Sequence, residues 1–155
     1  MSRENHILLA EDEEAEIALV QLSLEENGIR GDEVTITRDG AEALDYLFRR
    51  GPYRDRPPGN PGLVILDLKL PKVTGLEILK EVRTDAGTKS VPVVIFSSSI
   101  HEKDRNEALR NGANAFIVKP MDLDAFSNCI SSMLRLRAEG CHESSELIET
   151  GKGPA

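Results

Sequence analysis

Hydrophobic positions along the chain follow two periods that alternate. Ile7-Leu8-Leu9-Ala10, Leu63-Val64-Ile65-Leu66, Val93-Val94-Ile95-Phe96 and Ala115-Phe116-Ile117-Val118 are short runs with no polar face, as expected of strands buried on both sides of a parallel sheet. Between them apolar residues recur every three or four positions. Ile17, Val20 and Leu24 form one such stripe, Leu44, Leu47 and Phe48 a second, and Leu76, Leu79 and Val82 a third. A last stripe joins Leu123, Phe126, Ile130, Met133 and Leu134, and each reads as the inner face of an amphipathic helix. In Glu33–Thr37, Val34 and Ile36 alternate with polar residues, which suits an edge strand with one solvated face. The stretch from Glu102 to Asn111 has helical character but little apolar surface beyond Leu109, so it is expected to be loosely held. Five β-then-α alternations predict an α/β fold, a doubly wound sheet of five parallel strands.

Local punctuation supports these boundaries. Gly28 is placed to end the first helix. Asp39 with Glu42, Thr74 with Glu77, and Ser99 with Glu102 have capping-box spacing, and Asp122 can cap the last helix. Residues 51–62, rich in Pro and Gly, are expected to form a surface loop insertion. From Gly140 to Ala155 the chain is polar without periodicity and is expected to be a disordered tail, leaving residues 1–139 as one domain. Arg137 is counted with the last helix's inner stripe and Leu136 off it at about 100° per residue. Leu136 is therefore expected to be exposed and to pair two copies into a homodimer through this helix.

Charge narrows the choice of partners. The 155 residues carry 27 acids against 19 bases, a net charge of −8, which argues against nucleic acid and anionic membrane and favours protein partners. No apolar run approaches the roughly 20 residues of a membrane span. The first six residues lack the layout of a signal peptide, so a cytoplasmic location is expected. Cys129 and Cys141 have no metal-like spacing to His6, His101 or His142 and read as reduced thiols.

The chemistry lies at the strand ends. Glu11 and Asp12 follow the first run, Asp67 follows Leu63–Leu66, and Ser97 and Lys119 follow the last two runs. In a parallel sheet these ends share one edge, where open α/β folds keep their sites. Taken singly each residue is ordinary: an acid after a strand is often a helix N-cap, and a lysine before a turn is often solvated. Together they make a site. Several carboxylates so close cannot all stay ionised unaided, and an all-oxygen set that keeps waters suits Mg²⁺. Asp67 then becomes a candidate phosphoryl acceptor, because a cation lets a carboxylate attack an anionic donor. A phosphatase or mutase would want a second acid two positions on, where this chain has Lys69. A flavin protein would want a small-residue phosphate loop where Glu11-Asp12-Glu13-Glu14 stands. A protein-binding module that never carries phosphate remains the third alternative.

Over about Asn5 to Arg137 the chain resembles the receiver domains of two-component signalling. The resemblance is carried by Ile7-Leu-Leu-Ala-Glu-Asp12, by Leu66-Asp67 with Pro71 and Gly75, by Pro92 through Ser97, and by Gly112-Ala113 followed by Lys119-Pro120. It implies a flavodoxin-like (βα)5 fold with strand order 2-1-3-4-5. It also implies phosphorylation on Asp67, and Mg²⁺ held by Asp12, Asp67 and the Lys69 carbonyl with Glu11 nearby or acting through water. Ser97 and Lys119 would contact the phosphoryl group, and Phe116 would be the aromatic switch residue. The only reactions implied are the protein's own phosphoryl transfer and autodephosphorylation. The long loop, the tail and the lack of an output domain resemble regulators that partner bacterial and cyanobacterial phytochrome histidine kinases. A downstream histidine phosphotransfer protein is a further implied partner. Ala10, where relatives often carry a β-branched residue, is a mild departure.

Overall fold

A computed structural model describes residues 3–139, with side chains from Asn5 to Arg137. The expected tail lies outside the described residues, as does Cys141. Strands β1 (Arg3–Ala10), β2 (Val34–Thr37), β3 (Pro61–Leu66), β4 (Val93–Ser97) and β5 (Ala115–Val118) form one sheet in the order β2-β1-β3-β4-β5. All pairings are parallel. Helices α1 (Glu14–Glu26), α2 (Gly40–Phe48), α3 (Gly75–Thr84), α4 (Glu102–Arg110) and α5 (Leu123–Glu139) alternate with the strands. The expected fold class and strand order are those observed.

Alternation along the strands makes two cores. Ile7, Leu9, Leu63, Ile65, Val94, Phe96, Ala115 and Ile117 point to one face and meet α1 and α5. Leu8, Ala10, Val64, Leu66, Val93, Ile95 and Phe116 point to the other and meet α2, α3 and the end of α4. Every strand residue named is buried, and each fully buried Leu or Ile contributes about 1.5–3 kcal/mol relative to exposure. This two-sided burial is why the strands read as unbroken apolar runs. Only Ala108 of α4 is buried, as its polar sequence predicts.

Three expectations are corrected. Leu136 is 2% exposed and belongs to the core with Phe126, Cys129, Ile130 and Met133. At about 100° per residue Leu136, seven positions after the buried Cys129, falls about 20° from it, whereas Leu134, five positions after, falls about 140° away. Leu134 is accordingly the partly buried one, and the pairing expectation loses the residue it was built on. Leu123, expected on the inner face, is 67% exposed at the first position of the helix. The Ser99–Glu102 box does not form: His101 occupies the N-cap. Ser99 Oγ instead accepts from the His101 amide and donates to Asp104. The Thr74–Glu77 box does form, with reciprocal bonds of 3.2 and 2.9 Å.

Residues 51–62 are built rather than slack. A 3-10 turn spans Gly51–Tyr53 and β3 already begins at Pro61. Arg56 donates to the carbonyls of Tyr46, Leu47, Pro57 and Gly59, and its guanidinium lies 4.3 Å from the centre of the buried Tyr46 ring. Tyr53 donates to Glu42 Oε2 at 2.8 Å. Burial first, then the Glu42 bond and charge, push its phenol up to about 12. A raised folded value stabilises the fold below the unfolded value of about 10. That contribution is lost as pH climbs from there through 12. Ultraviolet titration of Tyr46→Phe, which leaves Tyr53 as the only tyrosine, should show the late ionisation, and adding Glu42→Gln should bring it down towards the ordinary range. An unshifted phenol in the first variant would refute the Tyr53–Glu42 bond.

Candidate functional site

At the carboxyl edge of the sheet, β1 runs into Glu11 and Asp12, β3 into Asp67, and β5 into Lys119. The register is tied across the edge: the Asp67 amide donates to the Ala10 carbonyl, the Glu11 amide to that of Thr37, and the Lys119 amide to that of Ser97. One carboxylate oxygen from each of Glu11, Asp12 and Asp67 lies within 4.8 Å of the others. Asp12 is exposed, Asp67 partly buried and Glu11 buried. The sequence-predicted acids are therefore brought together.

Lys119 enters this group from the far strand. Its ammonium donates to Glu11 Oε1 at 2.8 Å and stands 3.6 Å from Asp67 Oδ2, with the side chain 9% exposed. Burial alone would lower its pKa, but the Glu11 bond and the charges of Asp67, Glu11 and Glu16 outweigh that and raise it. Glu11 is raised above the usual carboxylate range, chiefly by burial and also by Asp67, against the pull of Lys119. Its other oxygen accepts from the Glu13 amide at 3.1 Å. Each Glu11 oxygen already accepts one hydrogen bond, from Lys119 and from the Glu13 amide, which leaves it fewer lone pairs for a cation than Asp12 has. Asp12, open to solvent, and Asp67 have the freer oxygens. The donor set fits a hard divalent cation that keeps waters; it offers none of the sulfur or imidazole that zinc sites favour.

Ser97 ends β4, is 2% exposed, and its Oγ accepts from the Ser99 amide at 3.1 Å. Lys69 is exposed, and its amide reaches back to Asp67 Oδ1 at 3.5 Å. Phe116 is 4% exposed in the core of the α2–α3–α4 face, facing away from Ala115 and Ile117. Gly75 lets α3 start directly on the β3 end: a Cβ there would meet the Asp67 carbonyl oxygen at 2.3 Å. Sequence reasoning missed Glu16. It lies in the first turn of α1, with Oε1 3.7 Å from the Lys119 ammonium. Its only trace in the sequence is an acid at a helix N-terminus, which is usually explained by the macrodipole.

The chain belongs to the response regulator receiver domain family, whose match covers residues 7–131. Response regulator Rcp1 of Synechocystis sp. is 37% identical over 117 residues, spanning 76% of this chain and 78% of that one. A solved Mn(2+)-bound form of response regulator Rcp1 shares 34% identity with a TM-score of 0.74, over 81% of this chain and 88% of that one. The phosphorylated cyanobacterial phytochrome response regulator RcpA is 34% identical with a TM-score of 0.79, over 86% and 94%. Bacteriophytochrome response regulator RtBRR is 44% identical with a TM-score of 0.72, over 84% and 77%. Among the described residues no helix is long and apolar enough to cross a membrane.

Proposed function

We propose that the protein accepts a phosphoryl group on Asp67 from the phosphohistidine of a histidine kinase. In the transfer the P–N bond to the imidazole breaks as an Asp67 oxygen bonds to phosphorus, and the histidine leaves as neutral imidazole after taking a proton. The observation that carries this reading is one ammonium, Lys119, 3.6 Å from Asp67 inside a three-carboxylate cluster. A cation bound there supplies charge neutralisation and orientation of oxygens. Asp12, Asp67 and the Lys69 carbonyl would hold the cation, with Glu11 acting nearby or through water. Lys119 adds the second positive charge, and the Ser97 hydroxyl can donate to a phosphoryl oxygen. Water attacking the same phosphorus later resets the site. Intact mass with acetyl phosphate and Mg²⁺ should show one added phosphoryl group and none in EDTA. An adduct that survives EDTA would overturn the metal assignment.

The partner in this reading is a phytochrome-type histidine kinase, supported by the relatives named as phytochrome response regulators. Such a kinase should phosphorylate this protein faster than it phosphorylates an unrelated receiver; equal rates would remove the phytochrome reading. A cytoplasmic location accords with that donor. Onward transfer to a histidine phosphotransfer protein uses the same chemistry in reverse.

Signalling is read through Ser97 and Phe116. Ser97 Oγ now holds the Ser99 amide, and Ser99 in turn holds the start of α4 through His101 and Asp104. Drawing the hydroxyl towards a phosphoryl group releases that chain of bonds, and the thinly buried α4 can shift as Phe116 repacks. Beryllofluoride should therefore alter hydrogen exchange across residues 97–118 in wild type and leave Ser97→Ala unchanged. Identical responses in the two proteins would disprove the coupling.

A further inference from the structure

The Lys119 ammonium is surrounded by more negative charge than its pairing with Glu11 needs. Glu11 Oε1 accepts from it at 2.8 Å, Asp67 Oδ2 lies at 3.6 Å, and Glu16 Oε1 at 3.7 Å. Glu11 and Asp67 also have backbone amides near them, from Glu13 and Lys69. Glu16 Oε1 is shut from solvent and has no hydrogen-bond partner. A carboxylate oxygen in that position is costly unless its charge is used. What it faces is the ammonium of Lys119.

We propose that Glu16 is a positioning residue for phosphoryl transfer: from the first turn of α1 it holds Lys119 on the Glu11 side of the site and so restrains the lysine's engagement of the phosphoryl group. The proposal rests on the reading of Asp67 as acceptor. An arriving phosphoryl group brings negative charge to Asp67, and the ammonium must shift towards it and away from Glu16. The Glu16 carboxylate opposes that shift and also repels the phosphoryl oxygens. Both effects have one sign, so Glu16 slows phosphorylation and guards against adventitious donors.

Glu16→Gln keeps the shape and removes the charge. At saturating Mg²⁺ its phosphorylation by acetyl phosphate should be about fivefold faster, the effect of one partly screened charge a few ångströms away. Its Mg²⁺ dissociation constant should rise, by no more than about twofold, since a nearby negative charge has been lost. A residue that only supported the fold would slow the reaction while weakening the metal, so the opposite signs are the signature. Glu16→Asp retracts the charge by one methylene and should give an intermediate rate, which keeps the test open if the Gln variant folds poorly. In a Lys119→Met background, Glu16→Gln should lose most of its acceleration.

A second readout needs no phosphate. The Lys119 ammonium signal in ¹⁵N spectra, assigned by its loss in Lys119→Met, should shift in Glu16→Gln. It should not shift in Glu14→Gln, whose carboxylate pairs instead with Arg38 at 2.6 Å. An unmoved ammonium signal, or a rate unchanged or slower in Glu16→Gln, overturns the proposal. Should wild type take no phosphate while the signal still shifts, the acceptor reading fails and the hold of Glu16 on Lys119 stands.

Discussion

Asp67→Asn should take up no phosphoryl group from acetyl phosphate or a kinase, and should unfold at a higher temperature than wild type without metal. The amide lacks the anionic oxygen that attacks phosphorus, so the adduct disappears rather than diminishes. The stability gain has a separate cause. In the metal-free protein one oxygen from each of Glu11, Asp12 and Asp67 is confined within 4.8 Å, and Lys119 compensates only part of that charge. Deleting one carboxylate relieves about 1 kcal/mol of like-charge repulsion. Adding Mg²⁺ should stabilise wild type and do less for the variant. Intact mass and thermal melts with and without Mg²⁺ read both parts. A residual adduct in Asp67→Asn would relocate the acceptor. A variant destabilised relative to wild type would deny that the cluster is electrostatically strained.

Gly75→Ala should cost about 3 kcal/mol, near the upper end of overpacking penalties, and should weaken Mg²⁺ binding as well. A Cβ at this position lies 2.3 Å from the Asp67 carbonyl oxygen and 3.0 Å from Leu68 Cα. Both neighbours are backbone and cannot rotate away. Either α3 retreats from the sheet or the β3 end moves, and the second carries the Asp67 carboxylate with it. The Gly75 amide also donates to the Leu68 carbonyl at 2.9 Å, a bond that the same displacement stretches. Urea unfolding measures the penalty and a Mg²⁺ titration the displacement. A cost below about 1 kcal/mol, or a gain of roughly 0.4–1 kcal/mol as Gly→Ala gives at an unstrained site, would mean that the junction is looser than the structure shows.

The sheet and most of the site could be read from the sequence for one physical reason. Strands buried on both faces leave unbroken apolar runs, and the first polar residue after each run marks the functional edge. Glu11, Asp67, Ser97 and Lys119 follow that rule, and Asp12 stands one residue after Glu11. Glu16 does not, because its approach to Lys119 depends on how α1 packs over the end of β5, and an acid in a first helical turn has a sufficient local explanation. Leu136 was misplaced because the inner stripe was drawn without Cys129, the buried residue one heptad before it on the same face. The cap of α4 was misplaced because Ser99 is committed to Asp104 and to the amide of His101, leaving the N-cap position to a residue with no capping bond. Tyr46 is buried at 2% although aromatic and polar. Its partners, His6 stacked at 6.2 Å and Arg56 from the loop, come from distant segments that no local pattern joins.

Arg83 gives α4 a fulcrum. Its side chain donates to the carbonyls of Gly112, Lys89 and Val91 and to Asn114 Oδ1, at 2.7 to 3.0 Å. The carboxyl end of α4 is thereby bolted to α3, while at the amino end Ser99 holds the helix through the bonds already traced from Ser97. A helix of nine residues is about 14 Å long at 1.5 Å per residue. Motion begun at Ser97 on phosphorylation should therefore become a tilt, large at Glu102 and Lys103 and small at Arg110. Paired spin labels should record that gradient on adding beryllofluoride, and equal displacements at both ends would show sliding instead. If the tilt is observed, a partner that distinguishes the two states should contact α4 near its amino end, beside the exposed Ile100, rather than along its whole length.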